Sequence, residues 1–221
     1  MLARHPVAGS VTQRVAVRQG FTNLGELAMI TTPKFAHVVL MTNRRDAMRD
    51  WYCTVLDAHV VYEDPMICFI TYDDEHHRLA FLSPPPDGTF AERAPNSVGL
   101  MHTAYTFADL GALLARFERL KTRGIEPRVP IQHGVTTSLY YRDPDGQYVE
   151  MQVDNFAHAD AASNYMRGPE FANDPVGPVY DPQRMLDDFK RGVPAAQLQT
   201  RSWALAGAAM PHAMALFASV D

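Results

Sequence analysis

The sequence predicts an α+β fold built from two copies of one β-α-β-β-β unit, and three observations predict it. A β-branched apolar run, Lys34-Phe35-Ala36-His37-Val38-Val39-Leu40-Met41, leads into a stretch whose apolar residues recur at helical spacing. The same order of strand, helix and three short strands returns after the turn-rich segment 83–96. The second copy closes on two apolar runs flanking Asp143-Pro144-Asp145-Gly146, a strong turn signal.

In the first unit the run ending at Met41 is the leading strand. Asn43 can cap the helix that follows, 44–57, which would bury Ala47, Met48, Trp51, Tyr52, Val55 and Leu56 along one stripe. Three short strands follow, at 58–62, 66–72 and 78–82. In the second unit, residues 99–107 form the leading strand. A helix over 109–123 presents Leu110, Leu113, Leu114, Phe117 and Leu120 on one face and ends at Gly124. The closing strands are 128–131, 136–141 and 148–153. Three segments result: an extension over 1–33, a domain over 34–155 with modules at about 34–83 and 97–155, and a partly helical tail over 156–221. One tail helix, 181–191, has Pro182 in its first turn, and the Ala-rich segment 203–220 is a further helix candidate.

Composition narrows the function. With 20 Lys+Arg against 25 Asp+Glu, the net charge of −5 argues against binding nucleic acid by phosphate neutralisation. No apolar run approaches the roughly 18 residues of a membrane span, and the charged first 20 residues lack the apolar core of a secretory signal. Two cysteines, Cys53 and Cys68, make no secreted-type disulfide framework. A cytoplasmic enzyme is the expectation.

The nine histidines are where chemistry concentrates. His37 and His102 occupy matching positions in the leading strands of the two units, 102 − 37 = 65 residues apart. At two-residue steps His37 shares a face with Phe35, Val39 and Met41, and His102 shares one with Leu100 and Ala104. Glu150, in the last strand, shares a face with Tyr148 and Gln152, and a half-buried carboxylate there is costly unless paired or metal-bound. A lone strand histidine is more often a hydrogen-bonded core residue, so the pattern alone leaves both readings open. Two histidines and one carboxylate nonetheless make the facial triad of non-haem Fe(II) oxygenases, which keeps coordination positions open for substrate and O2.

The duplicated unit and the spaced His, His and Glu resemble the vicinal oxygen chelate superfamily, and within it the type I extradiol (ring-cleaving) catechol dioxygenases, including 2,3-dihydroxybiphenyl dioxygenases. The resemblance covers about residues 35–155 and implies paired modules forming an open, curved, mixed sheet around a metal site. It carries the ligands over to His37, His102 and Glu150. The stretch Glu75-His76-His77-Arg78-Leu79-Ala80-Phe81 is similar to the family's paired-histidine segment, which makes His77 the acid/base and turns His76 away. The stretch Ser138 to Gly146, followed by Tyr148-Val149-Glu150, is similar to its C-terminal signature, which makes Tyr140 a hydrogen-bonding group. Gln132-His133-Gly134 supplies the pocket histidine, His133, at a spacing to Tyr140 slightly shorter than in two-domain relatives. Taken singly, His77 also reads as a polar-turn residue, His133 as a loop histidine, and either Tyr140 or Tyr141 as the inward aromatic.

The activity implied is ring cleavage of a catechol-type aromatic diol by O2, with Fe(II) as cofactor and Mn(II) the other ion that such a donor set accepts. Phe81, Met101 and Met151 are candidate wall residues, and a homo-oligomer is expected. Related glyoxalases and epimerases carry a fourth ligand on the last strand of the first unit, but Arg78-Leu79-Ala80-Phe81-Leu82 offers none. Two alternatives stand beside this reading: another metal-dependent enzyme of the same fold (isomerase, epimerase or thiol transferase), and a non-catalytic binding protein of the bleomycin-resistance type. His5, His59, His158 and His212 receive no role.

Overall fold

The computed structural model describes residues 32–94 and 97–219. By its contacts the chain separates into Met1–Phe35 and Ala36–Asp221, and every element below lies in the second unit. The expected extension over 1–33 falls almost wholly outside the described residues.

The first module runs β1 (Val38–Met41), α1 (Arg45–Leu56), β2 (His59–Glu63), β3 (Ile67–Thr71) and β4 (Leu79–Leu82). The second repeats it as β5 (His102–Thr106), α2 (Leu110–Lys121), β6 (Val129–Gln132), β7 (Thr136–Arg142) and β8 (Tyr148–Asp154). Each makes a four-stranded mixed sheet with the same connectivity, β1-β4-β3-β2 and β5-β8-β7-β6, with the leading strand parallel to the last. The duplication expected from element order is therefore present in topology and register, and the sheets are open rather than closed.

Three details differ from the sequence reading. His37 precedes β1 instead of lying in it, and β5 starts at His102, three residues later than expected. Asn43 does not cap α1: its side chain is taken up by Thr89, Phe90 and Glu92, and the capping position falls on Arg44, whose side chain caps nothing. α2, by contrast, is capped by Asp109, whose carboxylate accepts from the Ala112 N–H.

Both helices lie on one side of their sheets. Met48, Tyr52 and Val55 of α1 and Leu110, Leu113, Leu114, Phe117 and Leu120 of α2 are buried, as their spacing predicts; Ala47 is exposed. Alternate residues of the strands (Cys68 and Ile70, Leu79 and Phe81, Leu139 and Tyr141, Val149, Met151 and Val153) face this helical layer. Each such apolar side chain contributes about 1.5–3 kcal/mol by leaving water. The residues between them face the opposite way, and the chemistry sits on that second face.

The modules are joined through the helical side. Tyr52 and Val149 share a cluster, the Tyr52 hydroxyl donates to Asp143 Oδ2 at 3.0 Å, and Tyr72 meets Tyr105 edge-on at 5.7 Å. The tail joins the same body. α5 (Pro182–Lys190), α6 (Ala195–Leu198) and α7 (Arg201–Leu205) supply Met185, Leu186, Leu198 and Trp203 to the main core. α8 (Ala213–Ala218) packs on β6, while α3 (Ala159–Met166) and α4 (Pro169–Asn173) occupy a stretch the sequence left unassigned. The Ala-rich segment is broken into α7 and α8 rather than continuous. Both cysteines are free, and no helix among the described residues is long and apolar enough to cross a membrane.

Candidate metal centre

On the second module the strand alternation points Tyr148, Glu150 and Gln152 of β8, Thr136, Ser138 and Tyr140 of β7, and His102 of β5 away from the helices. Parallel pairing sets His102 opposite Tyr148, one step from Glu150, and antiparallel pairing sets Tyr140 directly opposite Glu150. The result is compact. His102 Nε2 lies 3.1 Å from Glu150 Oε2, His133 Nε2 lies 3.0 Å from the Tyr140 hydroxyl, and His133 Nε2 stands 3.9 Å from Glu150 Oε1.

Glu150 is 4% exposed. Burial alone would raise its pKa, but hydrogen bonding by His102, Ser138 and Tyr140 and the nearby His133 outweigh it and hold the carboxyl below its ordinary range. Burial lowers the pKa of His133 despite Glu150 and the Val176 carbonyl, so the ring is neutral near pH 7. Its Nδ1 is 2.6 Å from the Val176 carbonyl, which can only accept, so Nδ1 carries the proton and Nε2 is left as an acceptor, 3.0 Å from the Tyr140 hydroxyl. Burial, with Glu150 second, pushes the Tyr140 phenol far above its usual range and keeps it a donor. Tyr141 faces the helical core instead, which decides the pair that alternation left open.

The first module holds the other candidates. His37, exposed just ahead of β1, packs against His77 with ring centroids 4.3 Å apart and planes tilted by 31°. His77 also lies on the Phe69 ring at 4.5 Å, and burial, then His37 and His76, lower its pKa. His76 is the solvent-facing member, 69% exposed at the side chain, yet its Nδ1 reaches His77 Nδ1 at 2.6 Å.

The six predicted residues therefore form two groups: His37 with His77, and His102 with Glu150, His133 and Tyr140. Among the described residues no three His, Cys, Asp or Glu side chains stand close enough to hold one ion. Arg44, just beyond β1, pairs with Asp145, and the Gln147 side chain binds the Leu100 and Met101 carbonyls. The donor chemistry fits a divalent metal nonetheless: a buried, deprotonated carboxylate against an imidazole Nε2 supplies two of the three donors of a His/His/carboxylate set.

Phe81 and Met151 are not wall residues. Both are fully buried on the helical side, because each is one step out of phase with the site face. Met101 is exposed, with its sulfur 3.0 Å from His102 Nδ1. The sequence reading also missed a supporting layer. Ser138 follows from alternation with Tyr140. Val176, Arg201 and Phe217 come from the tail, where no pattern pointed to the site. Arg201 donates to the His133 carbonyl, and Phe217 meets Tyr140 edge-on at 5.1 Å. Gly177 (φ +93) lets the tail pass so close that a Cβ would meet the Gln132 carbonyl oxygen at 2.1 Å. Of the histidines without an assigned role, His212 caps α8 through Nδ1 and His59 is exposed on β2; His5 lies outside the described residues.

Comparison with known proteins fits this arrangement. Residues 34–151 match the family model of the Glyoxalase/Bleomycin resistance protein/Dioxygenase superfamily. The chain is 58% identical to biphenyl-2,3-diol 1,2-dioxygenase 2 of Rhodococcus globerulus, over 80% of this chain and 92% of that one. It is 54% identical to biphenyl-2,3-diol 1,2-dioxygenase 3 of the same organism, over 80% and 93%. Among solved structures, a lactoylglutathione lyase from Agrobacterium tumefaciens aligns with a TM-score of 0.44 at 20% identity, over 55% of this chain and 94% of that one, a similarity too distant to argue from. The chain belongs to the Glyoxalase/Bleomycin resistance protein/Dioxygenase superfamily and stands among its extradiol dioxygenases.

Proposed function

We propose that this chain is an Fe(II)-dependent extradiol dioxygenase whose substrate is a 3-substituted catechol of the biphenyl-2,3-diol kind. The observation that carries the reading is the buried Glu150 carboxylate held against His102 and flanked by the oriented His133–Tyr140 pair, in a chain 58% identical to a dioxygenase named for that diol.

His37, His102 and Glu150 are the residues that would hold the metal. When bound, the metal would supply Lewis-acid chemistry, lowering the pKa of the diol hydroxyls and removing much of the entropic cost of a two-reactant step. The protein's own groups do the rest. With Nδ1 fixed on Val176, His133 offers Nε2 to a diol hydroxyl and can take its proton, a transfer suited to a neutral imidazole near pH 7. Tyr140 stays protonated and donates to the oxygen that this transfer leaves negatively charged. His77, also biased to the neutral form, is the group that donates and recovers the proton on the oxygen side of the reaction. The apolar tail residues Val179 and Phe217 help to exclude water behind Tyr140.

The test is direct. Protein reconstituted with Fe(II) or Mn(II) and given biphenyl-2,3-diol, 3-methylcatechol or catechol should consume O2 and release a yellow ring-opened product, fastest with the biphenyl diol. No O2 uptake with any of the three, or oxygen-independent turnover, would overturn it.

A further inference from the structure

His133 opens the short turn that joins β6 to β7, and a turn is a mobile place from which to aim a ring. Its own module holds this turn at several points. His133 N–H donates to the Thr136 carbonyl, Gly134 N–H to Gln132 Oε1, and Asn155 Nδ2 to the Gly134 carbonyl. None of these bonds reaches the His133 carbonyl, which fixes the peptide leading out of the residue. That carbonyl is taken by the tail: Arg201 Nη2, 68 positions on, donates to it at 2.6 Å. The other arm of the fork, Nη1, donates at 3.3 Å to the Glu170 carbonyl in the first turn of α4.

Arg201 is 7% exposed, and its guanidinium bonds two carbonyls rather than a carboxylate. Its Nε has no hydrogen-bond partner among the described residues. The Tyr165 and Phe171 rings flank the charge at 5.8 and 5.9 Å. A buried charge without a counter-charge opposes folding, so what this arginine contributes is geometry rather than net stability. Its planar fork holds two carbonyls at a fixed spacing, which a lysine ammonium does not. Tyr165 closes on the same turn from another side, so near Gly134 (φ +88) that a Cβ there would meet the phenol oxygen at 2.2 Å. Both ends of His133 are therefore set by the tail, the ring at Nδ1 by Val176 and the carbonyl by Arg201.

We propose that Arg201 is the positioning residue for His133: by gripping the His133 carbonyl and the start of α4 in one fork, it fixes where His133 Nε2 points and so governs the transfer of the diol hydroxyl proton to that nitrogen. The inference rests on the reading of His133 as the group that takes this proton. Nε2 has to stand within hydrogen-bond reach of the hydroxyl, and a displacement of about 1 Å at such a group costs on the order of 10²-fold in rate.

Steady-state kinetics of Fe(II)-reconstituted full-length protein with biphenyl-2,3-diol test this in two backgrounds. Arg201→Met should lower kcat by about 10–100-fold, while bound iron and the KM for the diol stay within about 2-fold of wild type. In a His133→Ala background the same substitution should change kcat by less than about 2-fold, because the group it positions is gone. Arg184→Met is the control. Arg184 also lies over a tail ring, that of Trp203 at 4.1 Å, but donates to the Trp203 carbonyl instead of the turn, so its loss should leave kcat unchanged. Urea unfolding reports the fold of each variant. Where Arg201→Met does not fold, Arg201→Lys, which keeps the stem and the charge but not the fork, should show the same loss of kcat and the same dependence on His133. An equal loss in both backgrounds, no loss in either, or a matching loss in Arg184→Met overturns the proposal while leaving His133 as the base. Wild-type turnover by His133→Ala overturns the reading of His133, and the role of Arg201 with it.

Discussion

The two modules share one topology and differ in what covers them. In the first, the outermost strand β2 is exposed along its whole length, and His37 is exposed, among the described residues. In the second, the equivalent β6 is fully buried, because the tail pairs with it: Gln132 N–H donates to the Pro178 carbonyl, Tyr180 N–H donates to Pro130, and α8 closes over the edge. The same duplicated scaffold thus yields one dry group, where a carboxylate is held charged by hydrogen bonds, and one more exposed cluster of imidazoles. Duplication supplies the strand positions, but the tail determines which copy becomes the buried, electrostatically tuned half.

The contrast can be broken most severely at Glu150. Glu150→Gln removes the only carboxylate among the proposed ligands, and turnover of the diol should fall by about 10³-fold or more with loss of bound metal, read by O2 uptake and metal analysis. His37→Gln should match it even though His37 is exposed; a mild effect would make the exposed cluster dispensable.

Next comes the core. Leu113→Ala in α2, fully buried, should cost about 2–5 kcal/mol in urea unfolding. Val39→Ala, on the open face of β1, should change single-chain stability by under about 0.5 kcal/mol.

The seam between the modules should be pH-sensitive. Burial raises the Asp143 carboxyl to about 6 despite hydrogen bonds from Gln147, Tyr52 and Asp145. A native pKa above the unfolded value means that this group's stabilisation is full below about pH 4 and is lost as pH rises through 6. Asp143→Asn does not titrate, so the stability of wild type relative to that variant should fall by about 1–3 kcal/mol between pH 4 and pH 7. An unchanged difference would remove the linkage.

The smallest effect compares the helix caps. Asp109→Ala should destabilise α2 by about 1 kcal/mol, whereas Arg44→Ala, at a capping position with no side-chain bond, should cost α1 no capping energy.

Much of the fold was legible. Leu110, Leu113, Leu114, Phe117 and Leu120 announce α2 and its buried face by spacing alone, and Asp143-Pro144-Asp145-Gly146 announces the β7–β8 turn, where Gly146 takes φ +81. The face that a candidate residue takes was legible where alternation carries it, as for Tyr140 and Glu150, and alternation with Tyr140 places Ser138 on the same face. The wall residues Phe81 and Met151 were misread because hydrophobicity says that a residue is buried but not on which side of a sheet. Asn43 was misread as a cap because a capping residue type does not reveal a competing partner 47 positions away. Val176, Arg201 and Phe217 were invisible, since a tail without periodicity gives no sign of what it covers.

Local chemistry in the chain determined the two β-α-β-β-β units, the face each strand residue takes and the kinds of side chain available to a metal, because these follow from periodicity and from residue type. Only the tertiary structure decided that His102, Glu150, His133 and Tyr140 form one group while His37 joins His77 elsewhere. It also decided that the tail buries the group around Glu150. Those outcomes depend on the offset between two sheets, set by Tyr52, Asp143, Arg44 and Asp145 in contacts that span about a hundred residues of chain. No local pattern in the sequence encodes a separation of that kind.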